Sequence, residues 1–241
     1  MNDILSRTLV TGAGGMAGSY INFGIKTDRG SLDVTNLEAV LNAGKTHKPR
    51  AVIHLAAETD MNICESEPDR AYRVNTVGTY NMAILAKELG SRMIYVSTGG
   101  VFDGTKKSPY EENDTPDPQT YYGRSKYLGE LIVRGMLDDC IIARTCWLFG
   151  GGPEKDKKFI SKIISQFDKG EVKAASDQFG SPTFVKDFTE ALCGLIKEDK
   201  TGIFHIVNSG ISSRYEVAKE AAKILGIEAD VIPVSSDYFP S

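Results

Sequence analysis

Residues 51–56, Ala-Val-Ile-His-Leu-Ala, have the pattern of a strand with no polar face. A strand with one side in water alternates apolar and polar residues, whereas one that is apolar throughout must be covered on both sides. β-rich runs at 5–11, 50–56, 93–97, 140–145, 172–175 and 202–207 alternate with helical patterns at about 36–46, 68–89, 120–135, 156–168, 185–197 and 213–225. The helix expected over 68–89 is well punctuated: Ser66 can cap it, Pro68 suits its first turn, and Gly90 follows its end. Strand–helix alternation with fully apolar strands predicts an α/β fold built on a doubly wound parallel sheet. After about residue 146 the loops lengthen and the elements become irregular, so a smaller second lobe is expected there. Length of 241 residues suits one large domain with such an appendage.

Composition narrows the class. The formal net charge of -4 argues against a general nucleic-acid binder. No apolar run approaches the ~18 residues of a membrane span. The N-terminal segment carries Asp3 and Arg7 and reaches a glycine turn at Gly12, which leaves no room for a secretory apolar region. The expectation is a soluble, cytoplasmic protein. Cys64, Cys140, Cys146 and Cys193 are widely spaced, and His47, His54 and His205 have no Cys or His partner at ligand spacing, so no metal site is expected.

The segment Thr8-Leu-Val-Thr-Gly12-Ala-Gly14-Gly15-Met-Ala-Gly18 carries the first chemical signal. Its Gly12-x-x-Gly15-x-x-Gly18 spacing, directly after a strand, lets the backbone turn tightly and approach a pyrophosphate at a helix N-terminus. That reading implies a dinucleotide cofactor. The first helix must be very short, or residues are absent, because a βαβ unit normally takes ~30 residues or more. Asp28 and Arg29 follow the expected second strand. An acid there favours NAD through the ribose hydroxyl and an arginine suits NADP, so having both leaves NADPH and NADH open.

The second signal is Tyr122-Gly-Arg-Ser-Lys126, a phenol and an ammonium one helical turn apart on one face. A chain of this composition holds roughly one such pair by chance, and Tyr215-Glu-Val-Ala-Lys219 is another. Context separates them. Tyr122 follows the strand that ends in Ser97-Thr98, at the expected cofactor-facing edge, whereas Tyr215 lies on an amphipathic helix with no hydroxyl partner in view. Reducing a ketone requires hydride at carbon and a proton on the developing alkoxide. A phenol with pKa ≈ 10 is poorly matched to that task at neutral pH unless a lysine lowers it. A hydroxyl, Thr98 or Ser97, can hold the carbonyl oxygen.

With these residues in place, the chain resembles an extended short-chain dehydrogenase/reductase, and within that superfamily the dTDP-4-dehydrorhamnose reductase family. The matching segments are Leu32-Asp-Val-Thr35, His54-Leu-Ala-Ala-Glu-Thr59, Ala71-Tyr-Arg-Val-Asn75, Val101-Phe-Asp-Gly104, Ser108-Pro-Tyr-Glu-Glu112, Tyr121-Tyr-Gly-Arg-Ser-Lys126, Arg144-Thr-Cys-Trp-Leu-Phe-Gly150 and Asp177-Gln-Phe-Gly-Ser-Pro-Thr183. They run in family order over nearly the whole chain.

The resemblance implies a Rossmann core over 1–146 and a small C-terminal substrate lobe over 147–241, some segments of which return to the core. It implies Thr98, Tyr122 and Lys126 as the catalytic set and Gly12, Gly15, Met16, Ala17 and Gly18 as the phosphate turn. Asp33 and Val34 would lie near the adenine and Ala56 and Ala57 beside the cofactor, which Tyr122 and Lys126 also contact. Thr59, Trp147 and Gln178 would lie near the sugar. By default Trp147 in its apolar run would be core and Thr59 a loop residue.

Two departures stand out. Gly99-Gly100 replaces the family's usual Asp-Tyr, and an adjacent glycine pair after a strand usually serves close approach or unusual dihedrals. The chain also ends at 238–241, where the family continues into an Arg-Pro segment and a helix.

The implied activity is NAD(P)H-dependent reduction of the 4-keto group of a nucleotide-activated deoxysugar, with a homodimer as a compatible assembly. The alternatives are a sugar-nucleotide epimerase with recycled NAD and a non-catalytic regulatory homologue. A dehydratase is disfavoured because Gly99-Gly100 supplies no proton.

Overall fold

The computed structural model describes residues 2–239. In chain order its elements are α1 (Asn2–Ser6), β1 (Thr8–Thr11), α2 (Met16–Ser19), β2 (Ile25–Lys26), α3 (Leu37–His47), β3 (Ala51–His54), α4 (Met61–Ser66), α5 (Pro68–Tyr72), a π-helical turn (Arg73–Val77), α6 (Gly78–Leu89) and β4 (Arg92–Thr98). They continue with a 3-10 turn (Gly99–Val101), α7 (Tyr121–Met136), β5 (Cys140–Thr145), β6 (Leu148–Phe149), α8 (Phe159–Ile164), β7 (Glu171–Ala175), β8 (Phe179–Gly180), β9 (Thr183–Phe184), α9 (Val185–Lys197), β10 (Gly202–His205), β11 (Ser212–Ser213), α10 (Arg214–Leu225) and β12 (Asp230–Val234). The chain divides into one unit of residues 1–145 and 189–206 and a second of 146–188 and 207–241.

The first unit is built on a six-stranded sheet in the order β10-β5-β4-β3-β1-β2, and every pairing in it is parallel. β1, β3 and β5 are buried along their whole length, as strands without a polar face require. Leu9, Val52, Met93, Tyr95 and Ile142 from the strands pack with Val40 of α3 and Met82 and Leu85 of α6 in one core. From β1 the chain passes to β2 on one side and later to β3 on the other. The strand order therefore reverses between β1 and β3, and ligands of open α/β sheets bind in the crevice at the carboxyl ends of such strands.

The second unit contains three two-stranded ribbons, β7–β12 and β6–β9 parallel and β8–β11 antiparallel. Ile163, Phe167, Val172, Ala174, Ala218 and Ala222 form its core. α10 opens on a full capping box: Ser213 accepts from the Glu216 backbone N–H, and the Glu216 carboxylate accepts from the Ser213 backbone.

Several expected elements change. The strand expected over 5–11 begins only at Thr8, because residues 2–6 are helical. The helix over 68–89 is interrupted by the π turn at 73–77, and that over 156–168 shrinks to 159–164. The first helix is a single turn, Met16–Ser19.

Candidate active site

The glycine turn sits at the reversal point of the sheet. Gly12 has φ +67, and a Cβ on it would lie 2.7 Å from the Ala56 backbone N. Both facts demand glycine, since positive φ is costly elsewhere and β1 and β3 converge too tightly for a side chain. A Cβ on Gly18 would lie 2.4 Å from the Ala13 Cα, so α2 can fold back onto the turn only with glycine there. Gly15 caps α2 with extended backbone, and Met16 and Ala17 form its first turn. Behind the turn, the Thr11 hydroxyl lies 2.7 Å from His54 Nδ1 and accepts from the Ala56 N–H at 3.3 Å. These contacts join the ends of the two strands where Ala56 and Ala57 stand half-buried.

Asp28 follows β2 and accepts from the Gly30 N–H, the Ser31 N–H and the Ser31 hydroxyl, each at 3.0 Å. The Ser31 hydrogen bonds hold its carboxyl below the usual carboxylate range. Asp33 makes a similar turn with Thr35, at 2.9 Å to the N–H and 2.8 Å to the hydroxyl, and these bonds lower its pKa in the same way. Val34 is buried in the core, and its carbonyl accepts from the Asn81 amide.

Thr98 ends β4, and its hydroxyl accepts from the Gly100 N–H at 3.1 Å. Ser97 is committed elsewhere: its hydroxyl donates to the buried Glu130 carboxylate at 2.5 Å. Of the two hydroxyls, Thr98 is the one beside the phenol. Tyr122 is the second residue of α7, whose N-cap Thr120 accepts from the Gly123 N–H at 3.0 Å. Burial pushes the Tyr122 phenol up to about 12, and the Thr98 hydroxyl opposes that shift. Lys126, one turn on, is 3% exposed. Burial pushes its ammonium down to about 7, opposed by the negative charge of Glu130. At neutral pH the phenol therefore carries its proton and the neighbouring lysine stands close to its own titration point. That arrangement can deliver a proton to an oxygen held by Thr98.

The Gly99-Gly100 pair is not the strained turn that the sequence suggests. Neither glycine has positive φ. The close approach here requires glycine at 123 instead: a Cβ on Gly123 would lie 2.2 Å from the Gly100 carbonyl O, so the start of α7 presses against the backbone of the turn. A Cβ on Gly100 itself would meet Thr98 Oγ1 at 3.4 Å and Tyr122 Cδ1 at 4.0 Å, which is ordinary contact.

Three supporting residues escaped the sequence reading. Asn75, in the π turn, accepts from the Glu58 N–H at 2.7 Å and donates to the Glu58 carbonyl and the Ser125 hydroxyl, both at 3.0 Å. It ties the loop after β3, where Thr59 sits half-buried, to the helix of Tyr122 and Lys126. Glu130, 1% exposed, forms a two-pronged pair with Arg144, 3% exposed, at 2.9 and 2.7 Å. The third is Arg214 in the second unit. Its guanidinium lies 4.5 Å from the Trp147 ring centroid and 4.6 Å from that of Phe159, and its Nε donates to Gln178 at 2.8 Å. Arg214 thus brings together Trp147 and Gln178, and among the described residues it makes no ion pair. Trp147 is half-buried and takes φ +47, which few non-glycine residues adopt, so it is not an ordinary core side chain. Arg214 belongs to no motif in the sequence, because its contacts with Trp147, Phe159 and Gln178 arise only on folding.

The decoy pair behaves as packing. Lys219 Nζ lies 5.3 Å from the Tyr215 ring centroid, and Tyr215 packs against the second unit's core. Among the described residues, no cluster of three or more His, Cys, Asp or Glu could hold a metal ion, and no helix is long and apolar enough to cross a membrane.

Residues 6–241 match the family described as RmlD substrate binding domain. The spore coat polysaccharide biosynthesis protein SpsK of Bacillus subtilis is 34% identical over 98% of this chain and 85% of its own length. A dTDP-4-dehydrorhamnose reductase from Clostridium acetobutylicum superposes with a TM-score of 0.93 at 36% identity, over 97% of this chain and 85% of that one. Another from Bacillus anthracis, solved in complex with NADP, gives 0.92 at 32% identity, over 97% and 86%.

Proposed function

Because the chain belongs to the RmlD substrate binding domain family, we propose that it is an oxidoreductase that uses NADPH or NADH to reduce the 4-keto group of a nucleotide-activated 6-deoxysugar, as a dTDP-4-dehydrorhamnose reductase does. The observation that carries this reading is the juxtaposition of Thr98, Tyr122 and Lys126 at the carboxyl end of a parallel sheet whose reversal point holds the glycine turn. The cradle that only Gly12 and Gly18 permit fits a dinucleotide pyrophosphate. Gly12, Gly15, Met16, Ala17 and Gly18 would hold the phosphates, Asp33 and Val34 the adenine side, and Ala56 and Ala57 the strand end. The bound nicotinamide supplies the hydride.

The protein's own part is proton delivery and orientation. The Thr98 hydroxyl donates to the sugar's carbonyl oxygen, the Tyr122 phenol gives its proton to the same oxygen as charge develops, and the Lys126 ammonium stabilises the phenolate left behind. The segment 147–241 supplies most of the substrate lobe, with some stretches returning to the core. Trp147 and Gln178, which Arg214 brings together, are the proposed sugar contacts of that segment, and Thr59 is a separate proposed contact. Arg214 offers a cation suited to the substrate's diphosphate.

NADPH or NADH raises the melting temperature by mass action, and addition of a dTDP-4-keto-6-deoxysugar then consumes the reduced cofactor stoichiometrically. Product formed without net consumption marks an epimerase. A missing thermal shift with both cofactors at millimolar concentration overturns the dinucleotide assignment.

The bare Gly99-Gly100 turn bears on which sugar is accepted. It presents no acceptor and no phenol beside Thr98, so a site built to hold a sugar by hydrogen bonds loses those bonds here. Gly99→Asp combined with Gly100→Tyr raises kcat/KM for dTDP-4-dehydrorhamnose, by ~10-fold for the regained contacts. The backbone tolerates the change, since neither position has positive φ. A folded double variant that gains nothing, in a protein whose wild type already reduces that sugar efficiently, removes the glycines from the account of specificity.

A further inference from the structure

Tyr95 lies in the middle of β4 and is fully buried, directly beneath the catalytic helix. Its ring and its hydroxyl address opposite ends of one residue. Lys126 Nζ stands 4.3 Å from the ring centroid, and the Tyr95 hydroxyl donates to the Lys126 backbone carbonyl at 3.1 Å. Among the described residues Lys126 Nζ makes no hydrogen bond, so the aromatic face is its direct contact, beside the longer-range support of the Glu130 charge. The seat is made on purpose by Gly129, one turn after Lys126. A Cβ there would lie 2.3 Å from the Tyr95 hydroxyl oxygen, so any larger residue expels the phenol. From behind, His54 stacks on Tyr95 with centroids 6.0 Å apart and is itself fixed by Thr11, the last residue before the glycine turn.

We propose that Tyr95 is the positioning residue for Lys126, its π face holding the ammonium and its hydroxyl pinning the backbone from which that side chain springs. The inference rests on the reductase reading for its kinetic consequence only. A buried lysine has two ways to lie, charged against a partner or neutral among apolar groups, and the ring selects the charged one. The titratable groups around it are Glu130 and Tyr122 on α7, Tyr95 on β4 and His54 on β3, while Cys64 on α4 faces the phenol. His54 is pushed down to about 3 by burial and by the Lys126 charge, and burial raises Tyr95 well above its ordinary range. Lys126, down to about 7, therefore titrates near neutrality, whereas His54, Tyr95 and Tyr122 are pushed away from it.

The sign follows from the charge. Losing the ring destabilises the ammonium, so Lys126 gives up its proton at lower pH and the alkaline limb of kcat moves down. Tyr95→Leu is expected to move that limb down by roughly one pH unit and to lower kcat at pH 7.5 about tenfold, with KM for the keto-sugar nucleotide nearly unchanged. Tyr95→Phe keeps the ring and holds the limb much closer to wild type than Tyr95→Leu does, the small remaining shift measuring the hydroxyl's hold on the Lys126 carbonyl. Gly129→Ala, a favourable helix substitution, displaces the phenol from its seat and moves the limb in the same direction as Tyr95→Leu.

A second readout needs no turnover. In protein labelled at the lysine Cε, the NMR titration of Lys126 shifts down in Tyr95→Leu and in Gly129→Ala but much less in Tyr95→Phe. If Tyr95→Leu fails to fold, Gly129→Ala decides. An unmoved Lys126 titration in the folded variants, or Tyr95→Phe and Tyr95→Leu behaving alike, overturns the proposal. Wild-type protein that does not turn over the sugar at all would instead contradict the reductase reading and leave the NMR arm to judge Tyr95.

Discussion

Tyr122→Phe lowers turnover by roughly 10²-fold or more and leaves the melting temperature close to wild type. The substitution removes one oxygen from the second residue of a capped helix, and the helix start is held by Thr120, Gly123 and the Gly100 turn rather than by the phenol. What disappears is the proton donor beside Thr98. Cofactor binding, read by thermal shift, survives. Tyr215→Phe is the matched control, since it alters the other Tyr-x-x-x-Lys pair on a packing helix, and turnover stays within a factor of two or so. Equal losses in the two variants would remove Tyr122 from the mechanism.

The largest loss of stability is expected at Arg144. Arg144 and Glu130 face each other across the interior of the first unit with 3% and 1% exposure, and Ser97 completes the carboxylate's hydrogen bonding. Arg144→Leu strands the Glu130 charge in a dry site, which costs about 3–5 kcal/mol in a denaturant titration. The pair also fastens α7 to β4 and β5, so the loss spreads to the helix that carries Tyr122 and Lys126. Changing both partners, Arg144→Leu with Glu130→Leu, is milder than changing one, because no uncompensated charge remains. A single variant that costs less than about 1 kcal/mol would show that the pair is not a structural tie.

How much of this could be read from the chain depended on how local the signal was. β5 falls on the expected 140–145 and α9 on 185–197, because six consecutive buried residues and a strongly two-faced helix announce themselves within their own length. β12 passed unnoticed. Its Asp-Val-Ile-Pro-Val contains a proline, which reads against a strand, yet the segment pairs with β7 alone, where a missing donor is tolerated. The π turn at 73–77 could not be foreseen either. It accompanies Asn75 bridging Glu58, 17 residues back, and Ser125, 50 residues on.

At the candidate site, Gly12, Thr98, Tyr122 and Lys126 stand out in the sequence as motifs because the chemistry proposed for them is tied to short spacings. Tyr95, Glu130 and Arg214 do not, since each acts through a partner brought near only by folding. Of the expectation for Gly99-Gly100, unusual dihedrals do not hold, and a Cβ on Gly100 would make only ordinary contacts; the glycine that close approach demands is Gly123.

The central claim, hydride delivery to a sugar carbonyl with the proton drawn from Tyr122, is tested most directly by following the label. NADPH and NADH deuterated at the nicotinamide C4 transferable position are each mixed with protein and a dTDP-4-keto-6-deoxysugar, and the product is examined by NMR and mass spectrometry. The account predicts one deuterium at sugar C4 for each cofactor oxidised, and almost none in the same time with Tyr122→Phe. Label that stays on the cofactor while the sugar changes configuration, or transfer that proceeds undiminished without the phenol, would contradict it.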